Sequence, residues 1–82
     1  MIRMGKESKL PPAEVMDKAM AFFGPSKLGM KAIERGDCCA RFEGAGGYVF
    51  VQTADMDDKD GSLVTVEGRQ WEYQMKQFMG EI

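Results

Sequence analysis

Cys38-Cys39 sets the chain's two sulfurs side by side, the arrangement that a redox switch or half of a metal site would use. Adjacent cysteines are too constrained for an unstrained disulfide. With no histidine in the chain, two thiolates cannot complete a tetrahedral zinc site alone. The residue pattern therefore favours structural thiols, with Cys38 inward and Cys39 outward. Asp55-Met56-Asp57-Asp58-Lys59-Asp60-Gly61 has the look of a calcium loop until its register is checked. Gly61 in the loop's glycine position and Glu67 in its last leave Met56 where a carboxylate must stand, so the motif fails. Gly44-Ala45-Gly46-Gly47 is rich enough in glycine for a phosphate cradle, but it lies between two strands rather than before a helix, and no Lys-Ser/Thr pair follows. It reads as a hairpin turn. Tyr48, Tyr73 and Glu43 are the polar groups able to move a proton if a fold converged them. No residue is assigned a catalytic or metal-binding role, and no cofactor is expected. Methionines repack readily around apolar ligands, so the ligand-binding candidates are Tyr48, Phe50, Trp71, Met75 and Met79.

The elements that position these groups follow from periodicity. Residues 1–10 are polar, charged and without period, and read as a flexible N-terminal tail. From Leu10-Pro11-Pro12 a helix starts, since proline tolerates the first helical positions. Val15, Ala19, Phe22 and Phe23 form its apolar stripe, broadened by Met16 and Met20, and Gly24-Pro25 stops it. Ser26 to Gly36 suggests a short edge strand. Cys38 to Glu43 alternates, with Ala40 and Phe42 on one face and Arg41 and Glu43 on the other. Tyr48-Val49-Phe50-Val51 is apolar at both parities, the pattern of a central strand covered on both sides. Leu63 to Glu67 is the last strand, Gly68 an N-cap, and Trp71, Met75, Phe78, Met79 and Ile82 the stripe of a final helix. The predicted fold is α+β: a helix, three to four antiparallel strands and a C-terminal helix packed on the sheet, all in one domain over 11–82.

Composition narrows the function classes. Eleven basic against thirteen acidic side chains give a net charge of -2, which supplies no general drive toward nucleic acid or an anionic membrane. No apolar run reaches the roughly 18 residues that a spanning helix needs, and the expected location is cytoplasmic. A domain this short buries only about 60 to 65 per cent of its unfolded surface, so a partner subunit is an attractive source of stability.

Two segments resemble a known superfamily. Arg41-Phe42-Glu43-Gly44-Ala45-Gly46-Gly47-Tyr48-Val49, followed by Val64-Thr65-Val66-Glu67-Gly68-Arg69-Gln70-Trp71-Glu72-Tyr73-Gln74, is similar to small bacterial and archaeal proteins related to the START-like, birch-pollen-allergen (SRPBCC) helix-grip fold. The resemblance implies an antiparallel sheet gripping the C-terminal helix, with an apolar cavity between them. Against that superfamily the chain resembles a truncated, helix-grip-like version with fewer strands, so the expectation is a homodimer that rebuilds a larger sheet or a shared cavity. The leading functional expectation is a non-enzymatic binding module for a small apolar ligand or a protein partner. Its rivals are a cyclase- or hydratase-like enzyme using Tyr or carboxylate groups, and a structural or regulatory subunit.

Overall fold

The computed structural model describes residues 2–24, 29–44, 46–56 and 61–82. Seven elements follow one another: β1 (Ile2–Ser8), α1 (Pro12–Phe23), β2 (Lys31–Arg35), β3 (Cys39–Gly44), β4 (Gly47–Asp55), β5 (Ser62–Arg69) and α2 (Glu72–Glu81). The strands form one antiparallel sheet in the order β1-β5-β4-β3-β2. The chain thus crosses from one edge to the other through α1, then returns strand by strand. The α+β class holds, with five strands rather than three to four.

The additional strand is β1, in the stretch expected to be a loose tail. Its charges hide its alternation. Ile2 and Met4 turn toward the core while Arg3, Gly5 and Glu7 turn away. The inward polar residues at its far end are satisfied by carbonyls: Lys6 Nζ donates to Met79 O at 2.6 Å and Ser8 Oγ to Ile82 O at 2.9 Å. Those bonds lay the end of α2 along the edge strand, and an inward lysine is a device that keeps such an edge from pairing with another chain.

The first helix begins where the prolines predict. Pro12 occupies its first turn, and Pro11 O accepts from the Glu14 and Val15 amides at 3.0 and 3.1 Å. Its stripe of Val15, Met16, Ala19, Phe22 and Phe23 is buried. In α2 the stripe is Met75, Phe78 and Met79. The two helices meet over β3 through aromatic rings: Phe23 lies 5.2 Å from Phe78 and 5.6 Å from Phe42, at tilted angles that suit ring quadrupoles. Beneath them Ala40, Phe42, Val49, Val51, Val64 and Val66 are fully buried. Neither helix is long and apolar enough to cross a membrane.

Three local expectations change. Gly68 is no helix cap; it continues β5, and a Cβ there would stand 2.6 Å from Tyr48 O and 2.9 Å from Met75 Sδ, so glycine lets α2 settle on the sheet. Trp71 lies just outside α2 at its N-cap and is half-buried; its indole Nε1 donates to Gly44 O at 3.1 Å, tying the β5–α2 junction to the β3–β4 hairpin. Cys38 and Cys39 are joined in a disulfide. Cys38 sits in the bend before β3, outside the alternating ladder, and is exposed, while Cys39 is half-buried. The β3–β4 hairpin is as expected, with Gly44 paired to Gly47 and Gly46 at φ 80°, although Ala45 lies outside the described residues. Most of the Asp55 to Gly61 loop also lies outside them.

Candidate functional site

Alternation along β3, β4 and β5 sends every second side chain away from the helices, and these form an open sheet face. At the level of Phe50, register places Glu34, Arg41, Phe50, Glu67 and Arg3 side by side from β2 to β1. One level nearer the hairpin stand Lys31, Glu43, Tyr48 and Arg69. On the other side of Phe50 come Cys39, Gln52, Thr65 and Gly5, all uncharged. Cross-strand neighbours on one face are close enough for long side chains to cover rings.

At the hairpin end this face is hollowed by a depression of about 510 Å3, lined in part by Lys31, Ile33, Arg41, Glu43, Tyr48 and Arg69. The Arg41 guanidinium lies 4.7 Å from the Tyr48 ring centroid, and its Nε stands 3.3 Å from Glu43 Oε2. The arginine is thus held by a ring face and a carboxylate together. Ile33 reaches this hollow because β2 bulges between Ala32 and Glu34 and adds a residue to the edge. A smaller hollow of about 120 Å3 surrounds Phe50 between Arg3, Gln52, Thr65 and Glu67. A separate groove of about 540 Å3 lies at the other end, where Pro11, Met16 and Asp17 of the α1 start approach Arg35, Asp37 and Asp55.

The predicted binding residues do not converge. Tyr48 and Phe50 belong to the open face, as their parity requires. Met75 is fully buried and Met79 nearly so, both packed beneath α2 on the opposite face, and Trp71 sits at the hairpin junction. The space between sheet and helices is occupied by Phe23, Phe42, Phe78, Met30 and Met75, each fully buried. The proton-transfer candidates are likewise divided. Glu43 and Tyr48 are register partners on the open face, whereas Tyr73 is 68% exposed on α2 with Gln77 Nε2 at 3.4 Å from its hydroxyl.

Among the described residues no cluster of three or more His, Cys, Asp or Glu side chains is placed to hold a metal ion. Sequence reasoning passed over Arg3, Lys31, Ile33, Glu67 and Arg69. The available signal was parity: each lies on the wet side of its strand. Which of them stand beside Phe50 depends on pairing between strands far apart in the chain. No protein-family model, curated protein or solved structure matches the chain.

Proposed function

We propose that this protein is a small non-enzymatic interaction module that works as a homodimer through its open sheet face. The observation that carries the reading is the central strand β4, whose outward Tyr48 and Phe50 are half-buried aromatics on a face that neither α1 nor α2 covers, while its inward Val49 and Val51 are fully enclosed. Rings of this size bury large area on association, and aromatic and arginine side chains together are the composition of interface anchors. The packed interior favours a protein partner over an apolar ligand held between sheet and helix. The relationship to the helix-grip superfamily belongs to the same proposal, supported by the antiparallel sheet with its C-terminal helix on one face.

Sedimentation equilibrium of the full chain tests it. A dimer at tens of micromolar is expected; a monomer there would overturn the reading. A cytoplasmic setting is also part of the proposal. Its reducing poise would open the Cys38–Cys39 disulfide to two thiols, so alkylation in intact cells should modify both, and resistance to alkylation would argue for an oxidising compartment.

A further inference from the structure

The charges on the open face reverse sign about β4. Reading across the sheet at the level of Phe50, the order is Glu34, Arg41, Phe50, Glu67, Arg3: negative, positive, ring, negative, positive. At the adjacent level Glu43 and Arg69 flank Tyr48 with opposite signs. We infer that a second copy of this chain docks face to face on this surface about a two-fold axis running along β4. The inference rests on the homodimer reading and names its interface.

The axis follows from symmetry. A two-fold axis along β4, lying in the contact plane, carries each strand to the mirror position across β4. Arg41 then faces Glu67 of the partner subunit, Glu34 faces Arg3 of the partner subunit, and Glu43 faces Arg69 of the partner subunit. Phe50 meets its own copy at the centre. Each contact occurs twice, as an isologous interface requires. An axis across the strands through Phe50 would instead set Arg41 on Arg41 and Glu67 on Glu67, a repulsive arrangement. Two packed sheets with nearly aligned strands are an ordinary architecture.

Pairing within one sheet explains why Glu34 neighbours Arg41 and why Glu67 neighbours Arg3. It leaves open how those two pairs are oriented relative to the uncharged Phe50 between them. Both charged levels have the antisymmetric orientation that a two-fold axis needs. The edges are less suited to receive a second copy. On one side β2 is bulged and carries Lys31, Glu34 and Arg35, and on the other Lys6 and Ser8 tie β1 to the end of α2.

Charge reversal in the full chain tests the geometry. Arg41→Glu alone and Glu67→Arg alone each set like charges against one another twice per dimer, and each should raise the dissociation constant by about tenfold or more in sedimentation equilibrium. An equimolar mixture of the two variants should recover association, because in the heterodimer each of the two contacts again joins opposite charges. The double variant R41E/E67R should recover it as well. Circular dichroism of each variant reports folding; if a reversal fails to fold, Arg41→Gln and Glu67→Gln should each weaken association by less, and their mixture should recover part of it because the heterodimer keeps one Arg41–Glu67 contact of the two. Dimers that persist unchanged in the single variants, or single variants that stay monomeric when mixed, overturn this interface. In either outcome a wild-type dimer would leave self-association standing in another arrangement, whereas a monomeric wild type removes the homodimer and this interface together.

Discussion

Along β4 the chain builds two surfaces from alternate residues. Val49 and Val51 face inward, have no exposed surface and lie under the helices; Tyr48, Phe50 and Gln52 face outward among Arg41, Glu67 and Thr65. The inner face is apolar at its centre, where the Phe23, Phe42 and Phe78 rings seal it, with Ser8, Thr53 and Ser62 buried toward the far end. The outer face sets charges of both signs around two rings. The difference teaches what each face is suited to: a sealed apolar layer gains from burial whatever its partner's pattern, while a mixed surface can distinguish one orientation of a partner from another.

The largest effect should come from breaking the sealed face. Phe42→Ala is expected to cost about 3 to 5 kcal/mol in urea denaturation, a large share of a small domain's stability. Trp71→Ala should rank below it, at about 2 kcal/mol, because the ring is half-buried and its loss removes the bond to Gly44 O along with part of its packing. A loss as large as that of Phe42→Ala would place Trp71 in the core. Phe50→Ala separates the two faces most directly. Measured on dilute monomer, it should change unfolding stability by less than about 1 kcal/mol, while weakening self-association. Destabilisation equal to that of Phe42→Ala would erase the distinction between the faces. The smallest effect belongs to Glu72→Ala on α2, whose pair with Lys76 at 3.5 Å is exposed; roughly 0.3 to 0.5 kcal/mol should be lost, and less in high salt.

Much of the inner face was legible in the sequence. The α1 stripe of Val15, Ala19, Phe22 and Phe23, the inward Ala40 and Phe42, and the α2 stripe of Met75, Phe78 and Met79 are all buried as their spacing predicts. The failures share a cause. Residues 2–8 lack enough apolar character to announce a strand, yet they complete the sheet because β5 presents an unpaired edge and carbonyls at the end of α2 accept from Lys6 and Ser8. Gly68 has the chemistry of a cap but lies in a strand, paired with Ile2 and Val49, where a Cβ would stand 2.6 Å from the Tyr48 carbonyl of β4. Cys38 breaks parity because it precedes the strand that sets the parity.

The sequence by itself determined which residues point to which side, because side-chain alternation and helical stripes are local properties of period two and period 3.6. It also determined that β4 would be apolar on both faces. Only the tertiary structure decided what stands beside Phe50. Register between β1, β5, β4, β3 and β2 is a matter of hydrogen bonding between distant segments, and a slip of one residue would exchange every inward side chain for an outward one. The row from Glu34 through Arg41, Phe50 and Glu67 to Arg3 exists in no stretch of the chain, and that row gives the open face its two-fold pattern of charge.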